Sequence, residues 1–267
     1  MGRFHLPSLA SKYTVKPNII IEPVRGCKFQ CRQCAMGDLP VERKFMGPKK
    51  LDRRLAELKQ AGLGKWADGT PGWRKQYSVS YTCRGNPLDH ENLDEITRVV
   101  QNRLPGAKIN SFWNLGGVPS KAELVRRTKG LHQLILSLDS HHFAGLYREF
   151  KNAPRARGLS AAEMREKTFG IIRPRVGWAI DAAKQNGFSV KVQITHKGER
   201  FMPPTGSEKD LFEKLVPPKG SKALAGVEWT VDSSRRVARG SSVHNNPQSL
   251  VILHDGKFSE VMPAPDE

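Results

Sequence analysis

Residues 18–34 read NIIIEPVRGCKFQCRQC, an apolar segment followed directly by a loop that holds three of the chain's four cysteines. The run at 18–23 has the length and β-branched composition of a strand. Cys27, Cys31 and Cys34 are too tightly spaced for a disulfide framework in a chain of 267 residues. The stretch therefore predicts a strand whose carboxyl end leads into a metal-binding loop.

Short apolar segments alternate with amphipathic helical ones along most of the chain, the pattern of repeated βα units and a parallel sheet. Six strands are predicted, at 18–23, 77–83, 108–114, 133–139, 189–195 and 227–232. Helices are predicted at 49–63, 90–104, 120–130 and 208–216. After 133–139 the pattern loosens into an expected insertion, in which His141 and His142 are interpreted as a loop and two shorter helices occupy 160–167 and 176–186.

These units predict an α/β fold, a partial (β/α)6 TIM-type barrel with a short C-terminal β-hairpin extension. The hairpin strands are expected at 250–254 and 257–261, around the two-residue turn Asp255-Gly256. The domain organisation is expected to be an N-terminal arm at 1–15, the barrel at 16–232 and the extension at 233–267. The extension is expected to cover the bottom of the barrel or its substrate side.

The cysteine loop suits an iron–sulfur cluster, because thiolates are the usual ligands of such clusters and an electron-carrying four-iron cluster uses four of them. Three adjacent cysteines leave one iron open for a cofactor or substrate. Zinc is the rival metal, although no second Cys or His knuckle appears. Cys83, at the end of the second strand, is either a buried strand thiol or a fourth ligand.

The spacing Cys27-x-x-x-Cys31-x-x-Cys34, after Glu22-Pro23, resembles the signature of the radical S-adenosylmethionine (SAM) superfamily. This resemblance implies a 4Fe–4S cluster on the three cysteines, with the amino and carboxylate groups of SAM on the open iron. It also implies one-electron cleavage of SAM to methionine and a 5′-deoxyadenosyl radical, which abstracts a hydrogen atom from the substrate. The implied electron donor is a protein of the flavodoxin or ferredoxin type.

The resemblance extends from the first strand to about residue 232 and supplies candidate SAM-binding residues. Arg84-Gly85-Asn86-Pro87 resembles the Gly-Gly-Glu-Pro segment that contacts the SAM amino group in the family. Ser137 and Asp139 resemble a pattern near the ribose and carboxylate, and Asn114 and Gln193 are expected at the same rim. The implied cofactor-binding residues are Gly85, Asn86, Pro87, Asn114, Ser137, Asp139 and Gln193.

Two positions depart from the family pattern. Gln33 stands before the last cysteine, where the family usually has an aromatic residue, and Asn86 replaces the usual Glu. The second change turns a charged contact with the SAM amine into a neutral, weaker one. No cysteine follows Cys83, so an auxiliary cluster and a mechanism with a second, C-terminal catalytic thiol are both excluded, which leaves hydrogen abstraction. The sequence assigns no catalytic side chain.

The chain is strongly basic, with 44 Lys and Arg against 26 Asp and Glu and a net charge of +18. A field of this size attracts polyanions, so RNA is the first expected substrate, ahead of an acidic peptide or a small metabolite, phosphorylated or not. The competing interpretation is a basic RNA-binding or assembly protein with a non-catalytic cluster that Cys83 completes. The basic clusters are 49–54, 126–129, 155–157, 173–175 and 235–239.

No segment approaches the roughly 20 apolar residues of a membrane helix, and the N-terminus has no apolar signal core. The sequence therefore predicts a cytoplasmic protein without membrane contact, and it leaves the oligomeric state open.

Overall fold

The computed structural model describes residues 18–29, 42–61, 77–82, 84–137, 140–195, 227–232 and 249–259. The predicted N-terminal arm and the predicted helix at 208–216 lie outside these ranges. Among the helices of these ranges, none has the length and apolarity that crossing a bilayer requires.

A mostly parallel sheet forms the centre of the molecule. The described strands are β1 (Asn18–Ile21), β2 (Val24–Arg25), β3 (Lys44–Phe45), β4 (Ser78–Tyr81), β5 (Lys108–Trp113), β6 (Gln133–Ser137), β7 (Ser189–Thr195), β8 (Val227–Asp232), β9 (Ser249–Ile252) and β10 (Phe258–Ser259). Six of them lie side by side in the order β1-β4-β5-β6-β7-β8, and each neighbouring pair is parallel. Helices follow several of these strands, so the predicted α/β class and partial barrel are confirmed.

The helices of the described ranges are α1 (Pro48–Gln60), α2 (Leu93–Arg103), α3 (Lys121–Arg127), α4 (Ser140–Lys151) and α5 (Ala161–Asn186). Helix α3 begins where its sequence predicts, because the Ser120 hydroxyl accepts a hydrogen bond from the Glu123 backbone N–H. Helix α1 begins at a proline, which needs no backbone partner in the first turn.

The predicted insertion between β6 and β7 is wrong in its detail. His141 and His142, interpreted as a loop, lie in the first turn of α4, and the two short helices predicted at 160–167 and 176–186 form one helix of 26 residues. Helix α5 starts at a capping box of Ser160 and Glu163 and ends at Gly187 in the left-handed conformation. It continues through Pro174 because Phe169 and Ile172 of its middle segment are buried in the core.

The C-terminal hairpin forms, but its location differs from the prediction. Strands β9 and β10 pair antiparallel through a turn at 253–257, where Leu253 N–H donates to the Lys257 carbonyl at 2.9 Å. Strand β9 pairs in parallel with β1, so the hairpin extends the sheet instead of covering one end of the barrel. The reason is that β1 would otherwise present an unpaired edge.

The core lies between the sheet and the helices. Alternate strand residues such as Ile21, Tyr81, Trp113 and Leu136 are fully buried and share one cluster with apolar residues of all five described helices. The intervening residues face away from these helices, and most of those in β4 to β6 are polar and at least partly exposed. In β4 to β6, one side of the sheet therefore holds the core and the other is mostly polar, whereas at β1 and β9 the other side carries a small apolar cluster of Ile20, Val251 and Leu253.

Candidate active site

Cys27, the first predicted cluster ligand, lies just beyond the carboxyl end of β1. Between β1 and Cys27 the chain forms β2, which pairs antiparallel with β3, and Gly26 N–H donates to the Arg84 carbonyl at 2.7 Å. Gly26 and Gly85 form a parallel bridge, which joins the start of the cysteine loop to the segment after β4. The Cys27 side chain is partly exposed. Cys31, Cys34 and Cys83 fall outside the described residues, and within those no three metal-binding side chains come together.

Asn114, a predicted SAM-binding residue, contacts Cys27 directly. Its Nδ2 lies 3.8 Å from the Cys27 sulfur, within hydrogen-bond distance for sulfur. Its Oδ1 accepts the Gly116 N–H at 3.0 Å. The structure thus brings a residue that follows β5 to the cysteine loop that follows β1.

Phe29 anchors the start of the cysteine loop between two other elements. Its ring lies where side chains of Gly116 and Gly145 would otherwise be, since a Cβ added at either position would come 2.7 Å or 2.6 Å from ring atoms. The Arg148 guanidinium donates to the Phe29 carbonyl. Only glycine at 116 and 145 permits this contact, so the loop is held against both α4 and the segment after β5.

The segment Gly85-Asn86-Pro87 lies beside β2, with Gly85 partly buried and the other two residues buried. A Cβ at Gly85 would lie 2.4 Å from the Val24 carbonyl oxygen, so the close approach requires glycine. Asn86 is 3% exposed, and its Nδ2 donates to Asp89 Oδ1 at 2.8 Å and to the Gly116 carbonyl at 3.2 Å. Its Oδ1 is buried and has no hydrogen-bond partner among the described residues. Asn86 therefore offers one acceptor that the described part of the chain leaves unmet.

A buried ion pair, which was not predicted from the sequence, lies directly next to this segment. Glu22, fully buried, accepts two hydrogen bonds from Arg84, at 2.8 Å from Nε and 3.2 Å from Nη2. The same carboxylate accepts the His254 backbone N–H at 3.0 Å and lies 2.9 Å from His254 Nδ1. Arg84 Nη1 is buried without a partner among the described residues. The sequence feature that could have predicted this ion pair is a charged residue of opposite sign after each of two apolar strands, Glu22 after the first and Arg84 after the second.

The other predicted rim residues are only partly described. Ser137 ends β6, is half-buried, and pairs in register with Gln193 of β7. Asn114 reaches the same level, because Trp113 pairs with Leu136 of β6. Asp139 and the side chain of Gln193 fall outside the described residues, so the register brings the three backbones to one edge without fixing their contacts.

Several predicted phosphate-binding arginines are engaged in ion pairs. Arg126 and Arg127 both contact the Glu123 carboxylate, at 2.6 Å and 2.7 Å, and the Arg126 contact lowers the pKa of Glu123 to about 2. Arg54 pairs with Glu57 at 2.6 Å. The cluster at 235–239 lies outside the described residues. Part of the net positive charge therefore serves the fold.

Two buried titratable groups lie next to this region. Burial raises the pKa of Tyr81, which stands at the end of β4. Burial also lowers the pKa of His90, whose ring lies 2.8 Å from the Met46 carbonyl and makes an edge contact with Phe45. Both groups are uncharged at neutral pH, as expected for side chains buried in the apolar core next to the polar carboxyl edge of the sheet.

Comparison with known proteins gives matches among solved structures, and these are distant. No protein-family model matches the chain, and no curated protein is similar to it. The similar solved structures include a crystal structure of BtrN in complex with AdoMet and 2-DOIA, with 13% identity, 94% of this chain and 79% of that chain covered, and a TM-score of 0.41. A selenomethionine BtrN structure in an open conformation matches with 13% identity, 94% and 76% coverage, and a TM-score of 0.37. At TM-scores this low the likeness carries no argument about family or activity.

Proposed function

We propose that this chain is a radical SAM enzyme that uses a 4Fe–4S cluster on Cys27, Cys31 and Cys34. The observation that carries the proposal is the three-cysteine loop at the carboxyl edge of a parallel sheet, with the Cys27 thiol partly exposed beside an amide donor. Cys27, Cys31 and Cys34 would hold the cluster, which when bound would supply the electron for cleavage of SAM and so the radical chemistry that abstracts hydrogen from a substrate.

The site residues that the structure describes fit these groups. A cluster thiolate is stabilised by N–H donors, and Asn114 provides one at Cys27. An ammonium group needs acceptors, and the unmet Oδ1 of Asn86 is one, in the segment that resembles the family's amine-binding residues. Gly85 and Pro87 hold Asn86 in place, the first by its close approach to Val24 and the second by starting a 3₁₀ turn. Ser137, Asp139 and Gln193 remain proposed contacts of SAM.

The proposed substrate is anionic, and RNA is favoured over an acidic peptide or a small metabolite. The support is the net charge of +18 together with exposed basic residues on α1, namely Lys49, Lys50 and Arg53. Phosphates are bound by such groups without sequence readout. A protein reductant of the flavodoxin or ferredoxin type is the proposed electron donor, and the cytoplasm the proposed location.

Anaerobic reconstitution tests the proposal. With iron, sulfide, SAM and a strong reductant, the wild-type chain should form 5′-deoxyadenosine, detected by chromatography and mass. Cys27→Ala should lose both the cluster absorbance and the product. Asn86→Ala should keep the cluster and raise the KM for SAM about tenfold, as expected for one lost hydrogen bond to a charged group.

Cys83→Ala is the matched control. Under the proposal it retains the cluster and the product, because three thiolates suffice. Loss of the cluster in this variant, or a wild-type chain that holds iron and makes no 5′-deoxyadenosine, would favour the non-catalytic cluster protein instead. Binding of zinc in place of iron would end both interpretations.

A further inference from the structure

Asn114 and Cys27 meet at the carboxyl edge of the sheet although 87 positions separate them in the chain. The family resemblance assigns Asn114 to SAM. Its contacts point elsewhere, because its amide nitrogen faces the Cys27 sulfur at 3.8 Å and the residue is only 9% exposed.

The orientation of the Asn114 amide follows from its two contacts. Oδ1 accepts the Gly116 backbone N–H at 3.0 Å, and a backbone N–H can only donate. A flipped amide would place its NH2 group against that N–H and its oxygen against a thiolate sulfur, so both contacts would become repulsive. The amide N–H must therefore point at Cys27.

The Gly116 N–H is itself held in place by the surrounding chain. The Gly116 carbonyl accepts from Trp113 Nε1 at 2.7 Å and from Asn86 Nδ2 at 3.2 Å. Leu115, fully buried, has a φ of 65°, a conformation that non-glycine residues rarely adopt. Its carbonyl accepts from Arg175 of α5. The turn that aims the Asn114 amide is thus fixed from several elements before any cofactor binds.

We propose that Asn114 is a positioning residue that donates an N–H···S hydrogen bond to the Cys27 thiolate and so raises the reduction potential of the cluster. This inference rests on the proposed function only as far as the cluster itself. Hydrogen bonds to ligand sulfurs are among the factors that set the potential of iron–sulfur clusters. A donor withdraws electron density from the thiolate, and this favours the reduced form, which carries one more negative charge.

The test is an EPR-monitored redox titration of reconstituted protein without SAM. Asn114→Leu removes the donor at similar volume, and Asn114→Asp keeps an oxygen for the Gly116 N–H but turns an acceptor toward the sulfur. Both variants should hold as much iron as wild type and show a lower midpoint potential, with the larger decrease in Asn114→Asp. Asn110→Leu, four residues earlier in β5, is the matched control and should leave the potential unchanged.

Three results would overturn this role. One is an unchanged potential in both Asn114 variants together with a raised KM for SAM, which would return Asn114 to SAM binding. Another is an equal decrease of the potential in Asn110→Leu. If Asn114→Leu fails to retain iron, Asn114→Asp decides, and a potential equal to or above that of wild type in this variant contradicts the proposal. A wild-type chain without any cluster is a different outcome, which sinks the proposed function itself.

Discussion

The buried side chains beneath the helices are apolar, whereas those at the carboxyl edge of the same sheet are polar or charged. Beneath the helices, Ile21, Trp113 and Leu136 are fully buried and contact other apolar side chains. At the edge, Glu22, Arg84 and Asn86 are buried to a similar degree, yet they are polar or charged. The first arrangement gains free energy from apolar burial, whereas the second carries the cost of removing polar groups from water.

This difference indicates that the buried residues of the carboxyl edge do not serve the stability of the fold alone. A protein that needed only a fold would fill the edge with apolar groups, since a buried ion pair is often no better than a hydrophobic replacement. Here the edge keeps an ion pair and leaves Asn86 Oδ1 and Arg84 Nη1 without partners among the described residues. Conflicts between local cost and global fold are expected at functional sites.

Breaking the buried ion pair should give the largest effect. Arg84→Met leaves the Glu22 carboxylate fully buried with His254 as its remaining partner among the described residues, so the free energy of unfolding should fall by about 3 to 5 kcal/mol. Denaturant unfolding of the purified protein measures this. The double variant Glu22→Gln/Arg84→Met should recover much of the loss, because no charge remains buried without its partner.

Arg103 provides the control for that experiment. It forms two contacts with Asp52 that are shorter than those of Arg84 with Glu22, at 2.6 Å and 2.7 Å, but they lie at the solvent-accessible surface of α1 and α2. Arg103→Met should leave the unfolding midpoint within experimental error, since exposed pairs are screened by solvent. Equal losses for the two arginines would contradict the distinction between the edge and the surface.

Substitutions at two neighbouring residues of β6 test the difference between the two faces of the sheet. Leu134 is fully buried in the helix-facing core, and Ile135 is half-buried on the opposite face. Leu134→Ala should cost about 2 to 5 kcal/mol in the free energy of unfolding, because it leaves a cavity. Ile135→Ala should cost about 1 kcal/mol, since less apolar area is lost. A larger loss at Ile135 would show that this face is covered in solution.

Gly117 and Gly106 offer a smaller but cleaner comparison. Both have a positive φ, of 74° and 79°, but a Cβ at Gly117 would lie 1.5 Å from Asp89 Oδ1, whereas nothing lies within 4 Å at Gly106. Gly106→Ala should cost about 1 kcal/mol from backbone strain alone. Gly117→Ala should exceed it by about 1 kcal/mol or more, because Asp89 must move. Equal losses in the free energy of unfolding for the two variants, measured by thermal or denaturant unfolding, would mean that Asp89 can move aside at no cost.

Much of the fold could be predicted from local pattern. The six parallel strands lie within the predicted segments, and the hairpin forms at Asp255-Gly256. Helix α5 was divided wrongly because Pro174 and the polar residues around it weaken the helical pattern, while burial of Phe169 and Ile172 maintains it. The position of β9 beside β1 was missed because edge pairing joins segments more than 200 residues apart.

The candidate site divides in the same way. The cysteine spacing and the segment at 84–87 were visible in the sequence, and their cofactor roles remain predictions. The packing of the Phe29 ring against Gly116 and Gly145 could not be predicted from the sequence, because a glycine that makes room for a ring cannot be distinguished there from any other glycine. The predicted contacts of Asp139 and Gln193 lie outside the described side chains.

By itself, the sequence determined the alternation of strands and helices and the class of the fold, because apolar periodicity is a local property that any core-forming segment must obey. The tertiary structure alone decided which polar groups meet. Glu22 joins Arg84 and His254 across 62 and 232 positions, and Asn114 turns its amide to Cys27. Such contacts depend on strand register and on loops fixed from several sides, and neither leaves a periodic trace in the chain.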